Sequence, residues 1–271
     1  MNRKVTTYFQ NRVVWITGAS SGIGKHIALN LASIEGISLI LSARRVINLE
    51  ILARECGEQG ATCKVLPLDL EQTNTLEAKA LEAIALFGRI DILINNGGIS
   101  QRSYAYETPI ANDRKIMEID YFSNIILTKA VLPYMMQNSF GHIAVTSSIS
   151  GCFGFPLRSA YCAAKHAIYG FYEALDIEMR SKKIAVTIVS PGRINTEISY
   201  SALTKYGTPN GQMDDGQANG LSSDICAKRI LKGIAQKKHE LLVGKHELIM
   251  VHIYRKLPRL FHLLANKINP T

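Results

Sequence analysis

The chain has 271 residues, 47% of them hydrophobic and 20% charged, with a formal net charge of +9. That length and balance suffice for one large buried core and exclude a disordered or fibrous chain. Ten of the 31 Lys and Arg, but only Glu240 and Glu247 of the 22 acidic residues, fall in the last 45 positions, so the body is nearly neutral and the tail is basic.

Cys56, Cys63, Cys152, Cys162 and Cys226 form no C-x-x-C pair and no metal-ligand spacing, which predicts reduced thiols in a reducing compartment. The N-terminal stretch holds only the short apolar run Val13–Ile16, too little for a signal-peptide core. No run nears the ~18 apolar residues of a membrane-spanning helix. The expectation is a cytoplasmic protein.

The predicted elements alternate along the chain. Val13–Thr17 reads as a strand, then Ile23–Ser33 as a helix, Ser38–Ser42 as a strand and Val46–Gly57 as a helix. Cys63–Leu68 is a third strand, Thr73–Phe87 a helix and Asp91–Asn95 a fourth strand. A long helix follows over Asn112–Met136, kinked by Pro133. His142–Ser147 is a strand, Ala160–Arg180 a helix, Ala185–Ser190 a strand, Asp224–Gln236 a helix and Leu241–Gly244 a seventh strand. Alternation with nearly all-apolar strands predicts an α/β fold: a doubly wound, Rossmann-type parallel sheet of about seven strands with helices on both faces. We read residues 1–271 as a single nucleotide-binding domain with a lid at 197–223, rich in Gly, Asn, Ser and Thr, and a basic C-terminal segment at 246–271.

The first strand runs into Thr17-Gly18-Ala19-Ser20-Ser21-Gly22-Ile23-Gly24 and then a helix. A side chain at Gly18 or Gly22 would hold the backbone away from a phosphate, and Gly24 lets helix and strand pack closely. The helix N-terminus offers free N–H groups and partial positive charge to the anion. A glycine cluster alone is weak; this one has the strand-to-helix context that the motif requires.

The T-G-x-x-x-G-x-G spacing resembles the short-chain dehydrogenase/reductase family. Asn95-Asn96-Gly97-Gly98 is similar to the family's N-N-A-G, with Gly in place of Ala, and Pro191-Gly192 also matches. The resemblance runs from about Arg12 to Thr196, and the segment Asn95–Ser103 is similar to the dehydrogenase/reductase member 7 branch. It implies a nicotinamide cofactor, with Asn95 and Gly97 beside it, Asp69 and the adjoining Leu70 at the adenine, and Ile194 and Thr196 at the nicotinamide end. The second strand ends Ala43-Arg44-Arg45 without a carboxylate, which favours NADP(H) over NAD(H) through Arg44, with Arg45 beside it.

Tyr161 and Lys165 stand four apart on a predicted helix and therefore share a face. A free tyrosine, with a pKa of about 10, is a poor acid or base near neutrality; a neighbouring ammonium stabilises its phenolate. Alone, Y-x-x-x-K is a common accident. With the glycine turn and Ser148 thirteen residues earlier, the resemblance implies that Ser148 polarises a carbonyl and Tyr161 moves the proton while hydride is exchanged with the cofactor. No metal is required.

One residue departs from the family pattern: Asp120 stands where the family has an asparagine that positions a relay water. Its charge is expected to cancel part of the field acting on Tyr161 and to raise the pH optimum. Asn124, one turn on, is a weaker substitute. By position in the family it resembles, the segment Ser150–Ser159, with Phe153, Phe155, Pro156 and Arg158, the loop Gln101–Tyr106 and the lid Glu197–Ser223 are expected to border the substrate; the aromatics suggest a hydrophobic ketone, aldehyde or secondary alcohol and are equally good core residues. The expected partners are a small-molecule substrate and further copies of this chain in a dimer or tetramer. The basic tail fits a subunit interface or a packed C-terminal helix with a solvated basic face better than a peripheral membrane contact, and no nucleic-acid motif accompanies it. The rival function is a catalytically silent nucleotide-binding regulator or scaffold on the same fold.

Overall fold

The computed structural model describes residues 2–265. Its central sheet comprises β1 (Val13–Thr17), β2 (Ser38–Ser42), β3 (Thr62–Val65), β4 (Ile92–Asn95), β5 (Gly141–Thr146), β6 (Ile184–Pro191) and β7 (Glu240–Val243). The order is β7-β6-β5-β4-β1-β2-β3, all parallel. β1 pairs with β2 from Val13↔Ser38 to Thr17↔Ser42, and on its other edge with β4 at Val14↔Ile92. The connections reverse direction between β1 and β4, which opens a crevice at the carboxyl ends of the strands.

Every residue of β1 and β4 is buried, because helices cover both faces. On one face lie α1 (Arg3–Phe9), α2 (Gly22–Leu31), α3 (Val46–Gly57) and α8 (Ser223–Ala235), which contribute Phe9, Ile27, Leu31, Leu49 and Ile230 to one core. On the other, α4 (Leu76–Phe87), α6 (Ser123–Gln137) and α7 (Ser159–Met179) contribute Leu76, Leu127, Val131, Ile168 and Tyr172 to a second. Helix α5 (Ile110–Met117) precedes α6, and α9 (Leu248–Lys256) and α10 (Pro258–Ala265) follow the sheet. Among the described residues no helix is long and apolar enough to cross a membrane.

The structure differs from expectation at several points. β3 extends only to Val65, although Leu66 and Leu68 still donate to Leu41 and Ala43; Pro67 falls between them, where the N–H of this edge strand would face away from β2. The expected helix over 112–136 is interrupted by a π turn at Glu118–Phe122, while Pro133 lies inside α6 without ending it. Helix α1 is too short to show a periodic pattern; Asn2 caps it, and its Tyr8 hydroxyl meets Nδ1 of buried His142 at 2.7 Å. Burial pushes the pKa of His142 down to about 3.

The segment 197–223 is not structureless. Leu203–Thr204 pairs with Gln101–Arg102, Leu221–Ser222 pairs with Ile194–Asn195, and Asp215–Ala218 is a short helix. The tail breaks at Leu257, with Pro258 starting α10, where its missing N–H costs nothing. Val251 and Phe261 pack against Ile149 and Phe153, the Phe153 and Phe261 rings 4.8 Å apart. Phe153 is thus core, while Phe155 faces the crevice described next. The expected basic segment continues past Ala265 outside the described residues.

Candidate active site

A cleft of about 1010 Å³ runs along the carboxyl ends of β1, β2, β4, β5 and β6. Its first end is built by backbone. Gly18 and Gly22 have φ of +65° and +54°, the left-handed region that glycine enters freely. A Cβ on Gly18 would lie 2.7 Å from the Gly97 Cα, and one on Gly24 would lie 2.4 Å from the Gly18 carbonyl oxygen. Thr17 locks the two loops together, its hydroxyl accepting from the N–H of Asn96 and of Gly97, each at 3.0 Å. Ser21 occupies the N-cap of α2 and makes no side-chain capping bond, so the first N–H groups of that helix remain open to an anion. These features fit a dinucleotide.

Ser20, Ser21, Gly22, Ile23, Asp69, Leu70, Pro191, Gly192, Ile194 and Thr196 line the cleft, and a Cβ on Gly22 would meet Thr196 at 3.1 Å. Asp69 also accepts from the Glu71 N–H at 3.1 Å. Arg44 lies exposed on the cleft wall. Arg45 is folded back onto Ser21 Oγ at 2.7 Å and pairs with Glu197 at 3.4 Å, joining the glycine turn to the lid. Asn95 requires correction: it is buried, donates to Thr128 Oγ1 at 3.0 Å, and does not line the cleft. Its neighbour Asn96 does, donating to the Thr17 carbonyl at 3.2 Å. Successive residues of a strand face opposite ways, so a shift of one position exchanges the roles.

The second end is built by buried side chains. Ser147 donates to the Lys165 carbonyl at 2.9 Å, which leaves Ser148 as the serine whose hydroxyl serves the cleft; Ser148 Oγ accepts from the Ser150 N–H at 3.1 Å. Tyr161 and Lys165 project from the buried face of α7, with Nζ 5.5 Å from the tyrosine ring centre. Lys165 Nζ donates to the Thr146 carbonyl at 3.1 Å and stands 3.1 Å from Asp120 Oδ2. Asp120 is fully buried, and its other oxygen accepts from the Ile99 N–H at 2.8 Å. A Cβ at Gly98 would press on that carboxylate at 3.1 Å.

The π turn that carries Asp120 is closed from within. Asn124 Nδ2 donates to the Asp120 carbonyl and Ser123 Oγ to the Ile119 carbonyl, both at 2.6 Å, which occupies acceptors that the wider turn disturbs. Asn124 is therefore engaged with the backbone and does not line the cleft.

The Tyr161 hydroxyl titrates above its ordinary range, against the sequence-based expectation. Burial is the largest cause; Lys165 opposes it, Asp120 adds to it, and the Ser148 hydrogen bond opposes it. Asp120 is also raised, by burial, against the opposing pull of Lys165 and the Ile99 N–H. The ammonium and carboxylate together place little net charge beside the phenol.

Two features of this end were not anticipated. Arg158, the N-cap of α7, makes no side-chain capping bond; instead the buried Gln101 Oε1 accepts from the Ala160 N–H at 2.9 Å and the Tyr161 N–H at 3.5 Å. Arg102 and Arg158 also converge on the single carboxylate of Asp214. Three distant segments make that cluster, and no local pattern announces it.

Comparison with known proteins agrees with this architecture. Residues 12–206 match the family described as short chain dehydrogenase. The chain is 41% identical over 240 residues to Dehydrogenase/reductase SDR family member 7B of Mus musculus, covering 87% of this chain and 74% of that one. It is 38% identical over 270 residues to Dehydrogenase/reductase SDR family protein 7-like of Drosophila melanogaster, covering 98% and 82%. A short chain dehydrogenase/reductase from Burkholderia phymatum in complex with NAD shares the fold with a TM-score of 0.83 at 21% identity, over 97% of this chain and 98% of that one.

Proposed function

We propose a reaction for this chain, which belongs to the short-chain dehydrogenase/reductase family and is an NAD(P)-dependent oxidoreductase. When bound, the nicotinamide cofactor supplies or accepts the hydride; the protein holds the carbonyl/alcohol pair and moves the proton. Ser148 donates a hydrogen bond to the carbonyl oxygen, and Tyr161 gives that oxygen its proton, or removes it in the reverse direction. Lys165 stabilises the phenolate, while the Asp120 carboxylate limits that effect and places the working pH higher. The open N-terminus of α2 and the turn Gly18–Gly24 take the pyrophosphate, and Arg44 takes the 2′-phosphate of NADP(H). The observation that carries this reading is the meeting of Ser148, Tyr161 and Lys165 at one end of a cleft whose other end is an uncapped, glycine-lined helix N-terminus.

The substrate is a largely hydrophobic ketone, aldehyde or secondary alcohol, a reading supported by Phe155, Ile149, Ile249 and Met250 on the cleft wall. We read 1–271 as one cytoplasmic domain that assembles as a homo-oligomer through α6 and α7, where Tyr134, Met136 and Ile177 stand exposed. A second reading of the tail, a shallow contact with an anionic membrane surface, is supported by exposed Leu257, Leu260 and Leu263 near Lys256 and Arg259.

The rival, a silent nucleotide-binding regulator, is favoured by one observation: the fully buried Asp120 carboxylate stands 3.1 Å from Lys165 Nζ and opposes its effect on Tyr161. NADPH oxidation against a panel of hydrophobic ketones and aldehydes separates the two. The proposal expects turnover that falls by about 10²–10⁴ in Tyr161→Phe. NADPH binding without turnover, or turnover unaffected by the substitution, contradicts it.

A further inference from the structure

Arg102, Asp214 and Arg158 lie on three separate segments, and their side chains are only 5%, 6% and 13% exposed. Arg102 grips Asp214 with two nitrogens and also donates to Ser100 Oγ at 2.9 Å, so its charge is answered. Arg158 reaches the same carboxylate with Nη2 at 3.1 Å. Two buried guanidinium groups thus share one carboxylate. The other carboxylates of the cleft are engaged elsewhere: Asp69 with the Glu71 N–H, Asp120 with Lys165, Glu197 with Arg45, and Glu247 with the N–H groups of Arg193 and Lys245.

Arg158 is the member of the cluster that, with Asp214, lines the cleft. It stands three residues before Tyr161, immediately ahead of α7, and both residues line the cleft. The preceding residue, Leu157, has φ +63°, a costly conformation for a branched side chain. Backbone contacts hold it there: the Ser103 N–H donates to the Leu157 carbonyl at 3.2 Å, and Ser103 bridges to Arg158. The Phe155 ring, centred 5.9 Å from the guanidinium carbon, adds an apolar wall beside the cation. Burial and the neighbouring Arg102 lower the pKa of Arg158 to about 10, the direction expected of an under-compensated cation.

We propose that Arg158, supported by Asp214, is an anion-recognising subsite, and that the carbonyl substrate carries an acid group, a carboxylate or a phosphate, a few bonds from the carbon that exchanges hydride. The proposal rests on the oxidoreductase reading of the same cleft. It narrows the substrate from hydrophobic carbonyl compounds in general to amphipathic ones with an acidic end. The planar guanidinium fork suits both acid groups.

The test uses the full chain saturated with NADPH, so that the dinucleotide's own phosphate sites are filled. Calorimetry compares 4-phenylbutyrate with its neutral amide, and phenyl phosphate with phenol. At least one anion is expected to bind ten times more tightly than its neutral partner or better, and the pair with the larger ratio tells carboxylate from phosphate. Arg158→Met is expected to abolish that preference and Arg158→Lys to keep part of it. In turnover, 4-oxo-4-phenylbutanoate is expected to be preferred to its methyl ester, with the ratio of kcat/KM falling about tenfold or more in Arg158→Met. Equal binding of anion and neutral partner in the unmodified protein overturns the subsite without any variant. So does a preference that survives Arg158→Met in protein with an unchanged circular-dichroism spectrum. Turnover unaffected by Tyr161→Phe would instead sink the oxidoreductase reading, while the binding ratios still report on Arg158.

Discussion

At the glycine-turn end of the cleft the backbone makes the site, whereas at the Tyr161 end buried charged side chains make it. Helix N–H groups and left-handed glycines present fixed partial charges, and their desolvation is met when the helix forms. The Lys165–Asp120 pair and the Arg102–Asp214–Arg158 cluster instead depend on partners from distant segments, and an ion left unpaired there is expensive. The backbone end therefore tolerates change in side chains and resists change in backbone conformation. The other end does the reverse.

The largest effect should come from removing one buried ion. Lys165→Met leaves the Asp120 carboxylate without its cation and should cost about 3–5 kcal/mol by denaturant unfolding, besides abolishing most turnover. The double change Lys165→Met with Asp120→Asn should recover much of that stability and little of the activity. A single variant as stable as the parent would mean that Asp120 is not charged in the folded protein.

At the backbone end, Gly18→Ala should raise the dinucleotide Kd by about tenfold or more, since φ and the 2.7 Å approach to Gly97 both exclude a side chain. Ser20→Ala, measured by the same fluorescence titration, should change the Kd far less. Equal effects would erase the contrast between the two ends. Smaller again, Arg44→Ala should reduce the NADPH-over-NADH ratio of kcat/KM by about tenfold while sparing NADH turnover; an unchanged ratio contradicts the NADP(H) assignment.

How much of this was legible in the sequence follows the same division. The turn Gly18–Gly24 and the pair Tyr161 and Lys165 are contiguous or one helical turn apart, so spacing alone carries their geometry. Asp120 announced itself as a departure from the family pattern, though its pairing across 45 positions with Lys165 needed the fold. Asn95 was misplaced because every residue of β4 is buried, and an unbroken apolar strand gives no parity to tell one face from the other. The segment 197–223 read as loop because its order comes from two-residue ladders and from Asp214, not from its own composition. Gln101, which caps α7 from another segment, left no local trace.

The central claim is that Tyr161 is the acid/base group and that the buried Lys165–Asp120 pair adjusts a proton affinity that burial raises. The most direct measurement is the pH dependence of kcat/KM for alcohol oxidation, which needs the phenolate and so rises through the Tyr161 pKa. Asp120→Asn removes a charge that holds that pKa up. The midpoint should therefore move to lower pH, and the falling limb of carbonyl reduction should move the same way. Profiles that coincide in parent and variant would contradict the account.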